Sequence, residues 1–132
     1  MEIKTTSNIA RRKGLIKILY RFYILNCEDQ RIKQELLDNF QLEFDEESIK
    51  VSLELFNKRL EYEDLASQLL SDNWTWNRIP NIFKAIIITG IFEIKDLEVP
   101  KTVVINEMVN LSRSYQPNLD SKFINAILDK ID

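Results

Sequence analysis

Apolar residues recur along most of this chain at spacings of three and four residues, which is the period of one face of an α-helix. The first such stretch runs from about Ser7 to Asn26. A shorter stretch covers about 29–40, and a long one starts after Asp45 and continues towards Leu70. The alternation of apolar and polar residues that is typical of β-strands is missing, so the pattern predicts helices.

The second half of the chain continues the same pattern after a polar joint at 71–81. The helix predicted at about 82–95 is apolar on almost every side, which is typical of a buried central helix. Pro100 suits the first turn of another helix, and Asp120 or Ser121 is suited to cap a last one. The fold class predicted from the pattern is all-α, with six to seven helices.

Charge is distributed unevenly, although the formal net charge is only −3. Residues 1–25 hold six basic residues and one acidic residue, whereas the remainder holds 12 basic and 20 acidic residues. Such a basic end predicts an anionic partner. Arg11, Arg12 and Lys13 fall within one helical turn, so we expect a basic collar around the helix start that neutralises phosphates. A solubilising run of charges is the alternative interpretation.

The residue types that are missing narrow the possible chemistry. The chain has no histidine and one cysteine, Cys27. A Cys/His zinc site, an internal disulfide and a Ser-His-Asp or Cys-His nucleophile are therefore excluded. No arrangement of carboxylates suggests catalysis, so we expect no enzymatic activity, no metal and no other cofactor. No secretory signal or membrane-spanning run is readable, which predicts a cytoplasmic protein without a membrane partner.

Two segments near the end resemble the C-terminal signature of the NusB transcription antitermination family. They are "VPKTVVINEMVNLSRSY" at 99–115 and "DSKFINAILDKI" at 120–131. The joint and central helix, "NRIPNIFKAIIITGIFEI", and the start, "ARRKGLIKILY", are similar to further motifs of that family. Gly14 and Ala126 depart from it, since the family commonly has alanine and glycine at these positions.

The resemblance implies a single RNA-binding domain of two small helical subdomains, with halves at about 1–72 and 73–132. It also implies binding of boxA RNA in ribosomal RNA leader transcripts together with NusE, a protein of the small ribosomal subunit. Within the RNA polymerase antitermination complex, this binding would promote processive transcription of rRNA.

Two alternative functions stay open. One is a helical protein–protein adaptor without specific RNA binding. The other is the RNA-binding part of an rRNA methyltransferase system, whose catalytic module is not found in these 132 residues. The sequence leaves the oligomeric state open, and a homodimer is one possibility.

The last predicted helix supplies the candidate RNA-binding residues. Its apolar stripe leaves Phe123 to one side, next to Lys122. Single-stranded RNA is recognised by aromatic rings that stack on bases and by polar groups that reach base edges. Phe123 is therefore a candidate stacking ring, although an aromatic residue there also commonly fills a gap between helices. The predicted RNA-binding residues are Arg11, Arg12, Lys13, Tyr20, Asp120, Ser121, Lys122, Phe123 and Asn125.

Tyrosines on the first helix are candidates for protein contacts. Tyr20 and Tyr23 lie on a second apolar side of that helix, and tyrosine is enriched at interfaces. Packing inside the protein explains them equally well. Trp74 and Trp76 are interpreted as packing residues of the joint. The residues predicted to bind a protein partner are Tyr23, Lys84, Asn106 and Glu107.

Overall fold

A computed structural model of the chain describes residues 5–26, 28–38, 46–118 and 120–132, with side chains from residues 9 and 47 onward in the first and third ranges. All regular structure in these ranges is helical, which confirms the all-α prediction. The described residues form six α-helices, α1 (Thr5–Leu25), α2 (Asp29–Leu37), α3 (Glu46–Leu69), α4 (Asn81–Lys95), α5 (Lys101–Tyr115) and α6 (Lys122–Asp129), and a 3-10 helix covers Trp76–Arg78.

Some sequence-based expectations fall on positions outside the described residues. They concern Cys27 and the end of the second predicted helix near Phe40. The side chains of the capping candidates Ser7 and Asn8 are likewise outside them.

Local chemistry accounts for where the helices begin and end. α1 ends at Leu25 because Asn26 has a φ of 49° and donates its backbone N–H to the Phe22 carbonyl at 3.0 Å. Asparagine is one of the few residues other than glycine that tolerate this left-handed conformation. α5 begins directly after Pro100, whose missing N–H would have no partner in a first helical turn.

Contacts within the chain divide it into two units, residues 1–58 and 59–132. In the first unit, α1 packs against α2. The Arg21 guanidinium of α1 donates two hydrogen bonds to the Glu35 carboxylate of α2, from Nε at 2.8 Å and from Nη2 at 3.0 Å. The rings of Phe22 and Phe56 meet edge to face at 5.4 Å, which joins α1 to the first half of α3.

The second unit is organised around α4, which packs against both α5 and α6. Every residue of α4 from Ile82 to Glu93 is buried except Lys84. The prediction of a buried central helix is thus confirmed. The buried Tyr62 of α3 donates its hydroxyl to Asp96 at the end of α4, and burial, followed by this hydrogen bond, raises the pKa of Tyr62.

Two lysines bind backbone carbonyls at helix C-termini in the second unit. Lys130 Nζ donates to the Leu69 carbonyl of α3 at 3.3 Å, and Lys101 Nζ donates to the Asp129 carbonyl of α6 at 2.9 Å. These carbonyls have no partner within their own helices. A cation at that end also interacts favourably with the helix dipole, so the two lysines stabilise the C-termini of α3 and α6.

The crossing of α4 and α6 leaves little room for a methyl group at Gly90. A Cβ placed there would lie 2.9 Å from Leu128 Cδ2 and 3.0 Å from Leu128 Cδ1. Leu128 is fully buried, so its side chain has no solvent to turn into. The glycine therefore permits the close approach of the two helices.

We expect Gly90→Ala to destabilise the protein even though alanine gains about 1 kcal/mol in helix propensity. Overpacking of a filled core costs about 1–3 kcal/mol. Leu128→Ala alone should cost about 2–5 kcal/mol, and Gly90→Ala should become neutral or stabilising in that background. Urea unfolding of the four proteins measures this coupling. An equal effect of Gly90→Ala in both backgrounds would contradict the steric explanation.

The Arg21–Glu35 pair predicts a specific pH dependence of stability. The hydrogen bonds from Arg21 lower the pKa of Glu35 from its ordinary value of 4.5, the charges of Arg21 and Arg31 act in the same direction, and burial opposes them. A carboxyl group whose pKa is lowered by folding contributes stability above its unfolded pKa, and this contribution is lost as the pH falls through the folded pKa.

Glu35→Gln should therefore be less stable than the native chain at pH 7, and the difference should shrink as the pH falls below the ordinary pKa of 4.5. Urea midpoints at several pH values provide the measurement. Glu54→Gln, at an exposed position of α3 in the same unit, is the matched control. A difference between Glu35→Gln and the native chain that stays constant down to about pH 3 would contradict the assigned role.

Candidate nucleic-acid interface

The basic start of α1 differs from the predicted collar in one residue. Lys13 is exposed and Arg11 is half-buried, whereas Arg12 is only 5% exposed. The expectation that all three cations surround the helix start is corrected, because the chain folds with Arg12 inside. The cationic surface here is formed by Arg11 and Lys13. The binding of RNA by these residues stays a prediction.

Further along α1, a groove of about 260 Å³ is lined by Lys17, Tyr20, Arg21, Ile24 and Leu25. Tyr20 is half-buried, while Ile24 is 52% exposed and Leu25 is 37% exposed. Arg21 is oriented by its paired hydrogen bonds to Glu35. Apolar and cationic groups therefore lie side by side on this face.

The start of α6 is held by Asp120. Its Oδ1 accepts the Lys122 backbone N–H at 2.9 Å, one of the first-turn N–H groups that have no partner within the helix. Ser121, which directly precedes the helix, is buried and makes no side-chain capping bond. Ser121 therefore holds the N-cap position, while the side-chain bond to the start of the helix comes from Asp120, one residue earlier. The same bond fixes the direction of the Asp120 carboxylate.

The Phe123 ring belongs to an aromatic cluster. Its centroid lies 5.4 Å from the Trp74 ring with an interplanar angle of 16°, and 5.1 Å from the Phe83 ring with an angle of 42°. Both distances are typical of favourable aromatic pairs. Phe123 is half-buried, so it fills a space against α4, as the alternative interpretation of this residue held. Its partial exposure leaves the prediction of a stacking ring open.

A groove of about 350 Å³ opens beside this cluster, and its wall is mostly apolar. Asp120 and Lys122 contribute its polar groups, and Lys122 is exposed. The aromatic and aliphatic remainder of the lining consists of Trp74, Pro80, Phe83, Phe123 and Ala126. An apolar aromatic wall next to a carboxylate and an ammonium group is chemically suited to a planar ligand with a polar edge.

Trp74, Pro80, Phe83 and Ala126 line this groove but were not among the site residues predicted from the sequence, and Trp74 has the largest ring among them. It stacks on Phe123, which agrees with its interpretation as a packing residue of the joint, and it is also 42% exposed. The available signal was a tryptophan in an otherwise polar segment. Trp76 has a different environment, because it is half-buried and the Lys84 ammonium lies 5.8 Å from its ring centroid, within the range of a cation–π interaction.

The remaining candidates lie on three helices, α1, α5 and α6. Asn125 of α6 and Asn106 of α5 are exposed, and Glu107 is half-buried. Tyr23 of α1 is half-buried, and its ring meets Phe22 at 5.5 Å. The structure thus brings Asp120, Lys122 and Phe123 together in one groove of the second unit. The candidates on α1 belong to the first unit.

Two further findings apply only to the part of the chain that the structure describes. No group of three or more Cys, Asp and Glu side chains is placed to hold a metal ion there. Likewise, none of the described helices combines the length and apolar character needed to cross a membrane.

Comparison with known proteins gives a consistent result. The sequence model of the NusB family matches residues 10–132. A transcription antitermination protein NusB from a Nitratiruptor species is 28% identical over 128 residues, covering 91% of this chain and 87% of that protein. Proteins of the same name from Wolinella succinogenes and Helicobacter acinonychis are 28% and 29% identical, covering 91% of this chain and 90% and 88% of their own lengths.

Proposed function

Since the chain belongs to the NusB family, we propose that it is an antitermination factor that binds boxA RNA of ribosomal RNA leader transcripts. In this proposal it binds together with NusE, joins the antitermination complex of RNA polymerase and promotes processive transcription of rRNA. It acts by binding and catalyses no reaction. A factor that acts on nascent transcripts functions where RNA polymerase is, so we propose a cytoplasmic location.

The observation that carries the RNA-binding proposal is the groove at the start of α6. It combines aromatic rings with a carboxylate, Asp120, and an ammonium group, Lys122. Unstacked bases of single-stranded RNA need these groups: rings for their faces, acceptors and donors for their edges, and cations for the neighbouring phosphates. Asp120, Lys122 and Phe123 also lie in the segment 120–131, which resembles the C-terminal signature of the family.

Cations on α1 support the proposal independently. Arg11 is half-buried and Lys13 is exposed, so both are accessible to a ligand. Neutralisation of phosphates releases bound counterions, so each contact makes the binding constant more sensitive to salt. We propose that these two residues contribute affinity and little sequence selectivity, because phosphates carry no base identity.

A second candidate function, a protein–protein adaptor, is favoured by the apolar face of α1. Ile24 and Leu25 are exposed beside the groove that contains Tyr20. Exposed apolar residues rimmed by polar ones are typical of protein interaction sites. The residues that we propose for contact with NusE or another protein are Tyr23, Lys84, Asn106 and Glu107.

Fluorescence anisotropy of a labelled boxA RNA, with a scrambled RNA of equal length as control, tests the proposed function. We expect tighter binding to boxA than to the scrambled RNA, further tightening by NusE and weakening by salt. Equal, weak binding of both RNAs with NusE present would contradict RNA-specific function and favour the adaptor.

The role of the α1 cations requires a charge-matched comparison. Lys13→Ala should weaken boxA binding and reduce the slope of log K against log salt by about 0.7, the value for one phosphate contact on a single strand. Lys50→Ala removes the same charge from an exposed position of α3 in the same unit and should leave the slope unchanged. An equal change of the slope in both variants would contradict a local phosphate contact at Lys13, because the net charge of the protein would then explain the effect.

A further inference from the structure

Trp74 is the more exposed member of the aromatic cluster. Its ring is nearly parallel to that of Phe123, at 16°, with the centroids 5.4 Å apart. That separation corresponds to an offset stack. Phe123 also contacts Phe83 of the central helix. Phe123 therefore lies between a buried ring and an exposed one.

This arrangement limits how a base can reach Phe123. Trp74 covers part of the Phe123 ring, and a base could stack on that part only by displacing the indole. Trp74 itself keeps 42% of its surface exposed. An indole also has a larger π surface than a phenyl ring, so it offers the larger accessible area for stacking.

The polar groups of the groove match the edge of a nucleobase. The Asp120 carboxylate is directed by its bond to the Lys122 N–H, and carboxylate oxygens accept hydrogen bonds from base amino and imino groups. The exposed Lys122 side chain supplies donors for base oxygens or for the adjacent phosphate. The volume of about 350 Å³ lies near the lower end of sites that enclose small ligands, roughly 300–1,000 Å³.

We propose that this groove receives one unstacked nucleobase of single-stranded RNA, with Trp74 as the stacking ring. Phe123 supports Trp74 from behind and fixes its orientation, while Asp120 and Lys122 face the edge of the base. The inference rests on the proposed RNA-binding function and assigns the stacking role to a different residue from the one that the sequence suggested.

The chain contains its own internal control, because Trp76 is the second of its two tryptophans. Trp76 does not line the groove, and its ring is approached by the Lys84 ammonium. Trp76→Phe leaves Trp74 as the single tryptophan, and Trp74→Phe leaves Trp76. Stacking of a base on an indole quenches its fluorescence, so the two proteins report on the two positions separately.

The experiment titrates both single-tryptophan proteins with unlabelled boxA RNA and follows tryptophan emission, in parallel with the anisotropy assay. We expect saturable quenching of tryptophan emission in Trp76→Phe, with the same midpoint as the anisotropy curve. The emission of Trp74→Phe should change little. Trp74→Leu, which keeps an apolar side chain but removes the ring, should weaken binding about five- to 150-fold, the effect of losing one base–aromatic stack.

Two comparisons separate stacking from support. Trp74→Phe retains an aromatic face and should bind boxA within about threefold of the native chain, since any aromatic face can stack on a base. Phe123→Leu keeps the apolar support and should weaken binding less than Trp74→Leu does. The reverse order would overturn the assignment and make Phe123 the stacking ring. If Trp74→Leu does not fold, as judged by circular dichroism, the quenching experiment on Trp76→Phe decides.

The outcomes distinguish this inference from the proposed function. Absence of boxA binding by the native chain, with and without NusE, would overturn both. Specific binding without quenching of Trp74 would overturn the inference alone. Quenching of Trp74 by NusE in the absence of RNA would also overturn it, because the groove would then be a protein contact.

Discussion

The close approach of α4 and α6 is the constraint on which the candidate site depends. Gly90 allows Leu128 to lie directly against the backbone of the central helix, and near the other end of α6 the Phe123 ring packs on Phe83. These contacts fix the position of α6 along α4. Because Asp120 accepts the first N–H of α6, the same packing determines where its carboxylate and the side chain of Lys122 meet the aromatic wall of the groove.

The helices could be predicted from the sequence because they arise from local patterns. Spacing of apolar residues located α1 and α3, the nearly continuous apolar surface of residues 82–93 predicted the buried α4, and Pro100 marked the start of α5. A polar side chain at the start of α6 was predictable for the same reason, since the bond from Lys122 to Asp120 joins residues only two positions apart. A single sequence contains the information for such short-range interactions.

The candidate site was predictable only in part, because it depends on contacts between distant residues. Sequence spacing placed Arg12 in a basic collar, yet the folded chain leaves it 5% exposed. Trp74 and Phe123 are 49 positions apart in the sequence, and no local pattern indicates that their rings stack. The chemistry of Asp120, Lys122 and Phe123 was recognisable from the sequence, whereas the ring that completes their groove emerged only from the fold.

Site-specific photocrosslinking tests the central claim, RNA binding at the groove, most directly. A boxA RNA carrying 4-thiouridine at single positions would be irradiated with the native protein and NusE, and the crosslinked peptides identified by mass spectrometry. The account predicts that at least one position crosslinks to the segment around Trp74 or to residues 120–126, and that unmodified boxA competes for this product. Crosslinks confined to other parts of the chain, with none at the groove, would contradict the account.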